Sequence, residues 1–354
     1  MTVDFEACRE IVAEVFVRAG VRPERARQQA DLFTVTEGKG VLSHGVNLTL
    51  KYTEQFLKGV INTEPNVTVL RETESAAVLD GDQGLGVAVI GKAIDLAMEK
   101  AARFGVAAVT VTNLQHYAAG LYYGDRPAEN GMILTMMANS PSSMAPFGGS
   151  RKLYGTNPLT FAAPMGSLPA YCLDMASSVC AGNKLENAMS LGQSVPEGLG
   201  LDRNGKPSTD PGEILKHGSL LPFGGAKGSG VAGMINILAG VLSGAAYRDD
   251  VISLCRDKTK PANYGCFIQI IDVAKFMDYA QYVKRAETWG NDILESPPAA
   301  GFDRVIYPGY AEGRRLQKAR SKGLTLSQIS EENLIAAGKL VGLDTGALLK
   351  QAEI

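Results

Sequence analysis

Hydrophobic positions along this chain follow a helical period at both ends and form shorter, strand-like runs between them. Cys8, Ile11, Val12, Val15 and Phe16 fall at i, i+3 and i+4 spacing, which predicts an amphipathic first helix. Pro23 opens a second helix with the charged first turn PERARQQ, and a third runs over residues 50–58 until Gly59 stops it. An apolar run at 76–79, a glycine-rich stretch at 80–91 (DGDQGLGVAVIG), a helical pattern at 92–103 and the strand GVAAVTV outline a βαβ unit. Between 131 and 174, β-like runs (MILTMM, LTFAAP, YCLDMA) are separated by Pro- and Gly-rich turns. A polar loop, EGLGLDRNGKPSTDPGE, precedes a helix after Gly230, and strand signals return at GCFIQIIDV and DRVIYPG. Thr325 with Gln328 reads as a capping box for the helix in QISEENLIAAGKLVGL. Helical ends around an α/β middle predict that the two termini pack together.

The glycine-rich stretch invites a dinucleotide reading, but the spacing fails. A phosphate turn needs GxGxxG so that its third glycine lets helix and strand pack closely. Here Val89 stands in that place, and no acid follows the second strand to hold a ribose. The stretch is therefore expected to be a tight turn, with any nucleotide bound elsewhere.

Composition narrows the classes. With 354 residues, 45% of them apolar and 20% charged, the chain can bury a large core and form two or three units. The 35 basic and 37 acidic residues nearly cancel, with no basic stripe, which excludes nucleic acid as an expected partner. Cys8, Cys172, Cys180, Cys255 and Cys266 are scattered, arguing against a disulfide framework or a structural zinc site. The opening segment MTVDFEACRE is polar and acidic, unlike a signal peptide, so a reducing cytoplasm is the expected setting. Residues 228–247 carry no charge and are long enough to span a bilayer, yet they contain five glycines, two serines and Asn236. They are expected to form a helix buried in a soluble core, with no membrane contact.

Candidate chemistry is sparse. The three histidines are His44 in VLSHGVN, His116 in NLQHYAAG and His217 in LKHGSLL. Imidazole exchanges protons near neutral pH, so His44 and His116, each beside small residues that leave room for a ligand, are candidates, while His217 reads as a solvated loop residue. Ser43 lacks a GxSxG elbow and is a poor candidate for an acyl-transfer nucleophile. Lys227, among glycines just before the uncharged helix in LPFGGAKGSGVAG, suits a phosphate, although the segment is not a P-loop. No metal-ligand spacing occurs.

Taken together, SHGV at 43–46, DGDQGLG at 80–86, NLQHYAAGLYY at 113–123, NSPSSMAPFGG at 139–149, YGTNPLTFAAP at 154–164, LDMASS at 173–178, STDP at 208–211, LLPFGGAKGSG at 220–230 and YPGYAE near the C-terminus resemble the malate/L-lactate dehydrogenase family. This non-Rossmann group also includes sulfolactate, ureidoglycolate and diketogulonate enzymes and cyclic-imine carboxylate reductases. The resemblance implies an α/β fold with a mixed-sheet nucleotide domain of the L-sulfolactate dehydrogenase type. It implies a helical domain from residues 1–62 and 312–354, a substrate and interface region from 63–118 with 296–311, and an NAD(P)-binding domain at 119–295. It further implies a homodimer with active sites near the subunit interface and a small-molecule substrate, a 2-oxo or 2-hydroxy acid. Ser43, His44 and His116 match the family's active-site positions; Ser140, Asp174, Met175, Ala176, Lys227 and Gly309 fall on cofactor-contacting segments. NAD is the expected cofactor, because VCAGNK holds no Arg or His for a 2′-phosphate; NADP would point to Lys184.

One departure concerns the substrate. Where the family usually carries a carboxylate-holding arginine, three residues beyond the Ser-His-Gly glycine, this chain has Leu48. Arg151 is the candidate replacement, and Leu48, Arg151, Thr156 and Asn157 are the expected substrate-side positions. Two alternatives stay open: a reductase of cyclic imino acids such as piperideine- or pyrroline-2-carboxylate, and a non-catalytic nucleotide-binding protein.

Overall fold

The computed structural model describes residues 1–252 and 260–354; Cys255 lies outside the described residues. Helix α1 (Phe5–Arg18) begins at Asp4, whose carboxylate accepts the Ala7 N–H, and buries the predicted stripe. Helix α2 (Pro23–Gly38) starts on its proline, and α3 (Thr49–Leu57) ends before Gly59, which takes φ +64°. Edge-to-face contacts join α1, α2 and α3: Phe16 meets Phe33 and Phe56, and Phe33 meets Tyr52 with centroids 5.1 Å apart. These rings fix the rotation of α3.

The termini do meet. Thr2 and Val3 pair antiparallel with Thr325 and Leu324, and the Ile354 N–H donates to Thr2 O at 3.1 Å. Thr325 is thereby a strand residue, and the expected capping box is corrected. Ser327 caps helix Gln328–Leu340, its hydroxyl accepting the Ser330 N–H.

Seven strands make the central sheet: β1 (Thr68–Glu72), β2 (Ala76–Gly84), β3 (Val106–Leu114), β4 (Met132–Ala138), β5 (Leu159–Ala163), β6 (Tyr171–Met175) and β7 (Tyr264–Asp272). Their order is β1-β2-β3-β7-β4-β5-β6. Only β2 and β3 run parallel, joined by helix α4 (Gly86–Phe104); every other neighbouring pair is antiparallel. The sheet is therefore mixed, and it runs without a break across the expected division at residue 118. GCFIQIIDV becomes the central β7, whereas DRVIYPG forms no strand: Tyr307 is buried and donates to Pro169 O, taking that segment out of the sheet.

The uncharged stretch also departs from expectation. It forms helix Ala226–Ile235 followed by a π-helical turn, Asn236–Val241. Ala232, Ile235 and Ala239 are buried, but Met234, Ile237, Val241 and Leu242 are 40–61% exposed. One face packs and the other does not, so the helix is not wholly buried. Among the described residues no helix is long and apolar enough to cross a membrane.

Candidate active site

The antiparallel pairing brings the C-terminal ends of β2, β3, β4 and β6 to the same edge of the sheet as the starts of β5 and β7. His116, Ser140, Thr156 and Ala176 each lie within three residues of a strand end on that edge. Segments far apart in sequence converge there for this topological reason.

The glycine-rich stretch helps to build this edge without cradling a phosphate. A Cβ on Gly86 would run into His116 O and Tyr117 Cα, and one on Gly84 into the Pro65 ring. The glycines allow close approach of the histidine-bearing backbone, which then passes through Ala118 at φ +60°. Opposite it, His44 sits on the short 3₁₀ turn Leu42–His44. That turn is held from behind by Glu37, a buried carboxylate at the end of α2. It accepts the Val46 N–H at 2.9 Å and the Ser330 hydroxyl at 2.7 Å. Gly45 is required there, because a Cβ would collide with Glu37 Oε2. Burial raises the Glu37 pKa despite these hydrogen bonds.

The two imidazoles stack with centroids 5.8 Å apart and planes 25° apart. Ser43 Oγ lies 2.8 Å from His44 Nδ1. Tyr52 Oη lies 2.8 Å from His116 Nδ1 and 2.9 Å from His116 O. A carbonyl only accepts, so both contacts are made at once if the Tyr52 hydroxyl donates to the carbonyl and His116 Nδ1–H donates to Tyr52. Nε2 of a neutral His116 then keeps its lone pair. Burial, with the positive charge of Lys51 as the second cause, lowers the His44 pKa to about 4. Burial, Lys51 and His44 together hold His116 well below the usual imidazole value. Burial thus favours the neutral form of both rings.

Sequence reasoning missed Tyr52, Glu37 and Lys51. Tyr52 falls within the expected third helix; the signal available was its place on the helix that leaves the Ser43–His44 turn.

Next to the histidines lies a hydrogen-bonded platform. Ser140 N donates to Asn157 Oδ1, Ser140 Oγ is 3.2 Å from Thr156 Oγ1, and Ser177 N donates to Thr156 O. Asn157 is fully buried at φ +35°, with its amide nitrogen donating to Ala232 O and Asn236 Oδ1. Its side chain therefore joins the platform to the helix Ala226–Ile235. Gly224 and Gly225 turn into that helix with φ +54° and +63°, and exposed Lys227 lies in its first turn. The Ser142 and Ser143 hydroxyls, two and three residues beyond Ser140, are buried with no hydrogen-bond partner among the described residues.

Other expected residues separate from this group. Asp174 is turned away, accepting Leu121 N–H at 2.9 Å and the Thr160 hydroxyl at 2.9 Å, and burial raises its pKa. Met175 and Ala176, half-buried, remain at the end of the edge strand. Gly309, at φ +94°, packs against Ala170 and Cys172 and lines, with Asp174 and Lys39, a cavity of about 510 Å³ behind β6. Arg151 is exposed and pairs with Asp249 at 3.1 Å. Leu48 packs against the core, and His217 and Lys184 are exposed. Among the described residues no group of three His, Cys, Asp or Glu is arranged to hold a metal ion.

The profile of a family described as malate/L-lactate dehydrogenase matches residues 3–334. The L-sulfolactate dehydrogenase of Methanocaldococcus jannaschii is 34% identical over 312 residues, 88% of this chain and 89% of that protein. A ureidoglycolate dehydrogenase (NAD(+)) of Escherichia coli is 30% identical over 326 residues, 92% of this chain and 93% of that one. The solved structure of the M. jannaschii sulfolactate dehydrogenase superposes with a TM-score of 0.88 at 32% identity, covering 98% of this chain and 99% of that one.

Proposed function

The chain belongs to the malate/L-lactate dehydrogenase family, and on that premise we propose that it transfers a hydride between a nicotinamide cofactor and a small 2-oxo or 2-hydroxy acid, with His116 handling the proton. The observation that carries the assignment is the Tyr52–His116 contact, which leaves Nε2 basic beside a second imidazole.

The residues present fit a dinucleotide. Two buried serine hydroxyls without partners among the described residues, a glycine turn and a helix start bearing Lys227 offer donors to a pyrophosphate. Ser140, Thr156, Met175 and Ala176 would border the cofactor, with Gly309 on the far side of the edge strand. When bound, the nicotinamide gives or accepts the hydride. The chain's part is to orient the reactants and move one proton. In oxidation His116 Nε2 takes the hydroxyl proton; in reduction it returns a proton to the forming alkoxide. His44, its Nδ1 engaged by Ser43, offers Nε2 to the same oxygen. We assign NAD as the cofactor, supported by the relative named for NAD(+) and by the lack of Arg or His in VCAGNK, residues 179–184. A homodimer in the cytoplasm is the assembly and setting this reading carries.

The test is the absorbance of reduced nicotinamide when the protein meets NADH or NADPH and a panel of 2-oxo acids and cyclic imines. Consumption of NADH with 2-oxo acids is the expected result. Cofactor binding without turnover of any compound would refute the enzyme reading, and turnover of cyclic imines alone would reassign the substrate.

A further inference from the structure

The central sheet is closed on one face and open on the other. Leu134, Met136, Ile268 and Ile270, alternate positions of β4 and β7, are at most 1% exposed. Ile133, Thr135, Gln269 and Ile271 point the other way, paired across the same two strands, and are only half-buried. MILTMM and FIQII are nonetheless apolar at nearly every position, the composition of strands that are covered on both faces. The cover within one chain is partial. Through Ile235 and Ala239, the helix Ala226–Ile235 and its π-helical turn pack on Met137. At the other end of the face, Trp289 of helix Tyr279–Leu294 stacks on Tyr171 with centroids 5.8 Å apart, and Gly290 is that helix's one buried residue. The outward side of the uncharged stretch repeats the gap. Gly230, Met234, Ile237 and Val241 are exposed at spacings of four, three and four, the seam along which one helix meets another. A Cβ on Gly230 would meet nothing within 4 Å, so a second backbone can approach there.

We propose that a second copy of this chain covers this layer, its own stripe laid on the stripe across a two-fold axis. Charge selects that occupant. Residues 228–247 carry none, and neither do the half-buried sheet positions, so like meets like without repulsion. A charged partner would instead bury its charges against apolar side chains. Area agrees. Met234, Ile237, Val241 and Leu242 are 40–61% exposed and leave on the order of 400 Å² open. The half-buried sheet positions and Trp289 bring the layer toward the roughly 800 Å² that each partner of a stable pair contributes. The contact also bears on the cofactor site, and that part rests on the reading of the chain as a nicotinamide-dependent oxidoreductase. Asn157 of the platform donates to Ala232 O and Asn236 Oδ1 on the inner side of this helix, and Lys227 lies in its first turn. A partner pressed on the outer side holds the helix between two surfaces, so pairing and cofactor binding favour the same arrangement.

The experiment is sedimentation of the full chain at micromolar concentration, with NADH titration of the same samples. Wild type should sediment as a particle of two chains. Ile237→Lys should sediment as one chain and raise the NADH Kd at least about fivefold. Leu70→Lys, an exposed position on β1 at the far edge of the sheet, should leave both readouts unchanged. Mixing Ile237→Lys with Ile237→Glu should restore the pair, because the axis sets the stripe against itself. Val241→Cys, a smaller change that spares the fold, should join two chains through a short bis-maleimide where Leu70→Cys does not. Wild type that sediments as one chain overturns the proposal, as does a two-chain particle that Ile237→Lys leaves intact. Unchanged NADH affinity in a single-chain Ile237→Lys overturns the coupling. Pairing that depends on position 237 in a protein that binds no nicotinamide cofactor would instead overturn the functional reading alone.

Discussion

Tyr52 shows how little of a site is written in the residues that look chemical. The histidines stood out because the chain has three and two lie beside small residues that leave room for a ligand. Tyr52 lies in an ordinary helical pattern, and only the packing of α3 on Phe33 turns its hydroxyl to His116. Removing that hydroxyl in Tyr52→Phe should unfix the imidazole tautomer and lower kcat by about tenfold or more, with the NADH Kd unchanged. Stopped-flow turnover and cofactor titration would check both parts. The pH dependence follows from the lowered His116 pKa. A base whose proton binds only well below 6.5 stays deprotonated as pH falls from 8 to 6, so kcat/KM for oxidation should stay flat there. A half-loss near pH 6.5 would mean that His116 titrates as an exposed imidazole does.

At the scale of elements, the sequence was most legible where one period governed a whole segment. The stripe of α1, the strands β3, β4, β5 and β6, and the parallel pairing of β2 with β3 appear where alternation or helical spacing places them, but α4 begins at Gly86 and not at 92, so the expected turn over 80–91 shrinks to Leu85. Elements decided by distant partners were not legible. Thr325 pairs with Thr2 instead of capping a helix, and the 228–247 segment exposes an apolar face that composition alone assigned to a core. The glycine-rich stretch gives a test within one short segment. Gly86→Ala forces a methyl into the His116–Tyr117 backbone and should destabilise by about 1–3 kcal/mol, with loss of turnover. Gly91, inside α4 with open space around its Cα, should gain roughly 0.5–1 kcal/mol on replacement by Ala. Denaturation midpoints of the two variants should move in opposite directions; parallel movement would mean that the space around each Cα does not decide the outcome.

For the whole molecule, the composition and helical ends gave the outline, a mixed α/β core closed by a layer built from both termini. The position of the site was less legible, because it depends on an edge where strand ends from residue 84 to residue 264 meet. The closed termini carry a consequence for how the protein is made. Glu37, which holds the His44 turn, and Asn47 in the next turn are bonded to Ser330 and Asn333, 293 and 286 residues further along. At roughly 5–20 residues per second, a ribosome delivers these clamps about 15–60 s after the turn they secure. A nascent chain therefore carries every candidate catalytic side chain long before it can hold them in register. A polypeptide ending at residue 323 should have no measurable turnover, and a synthetic peptide of residues 324–354 added to it should restore some. Full activity of the shortened polypeptide would show that the turn is rigid on its own; otherwise catalysis begins only after residues 324–354 have been made.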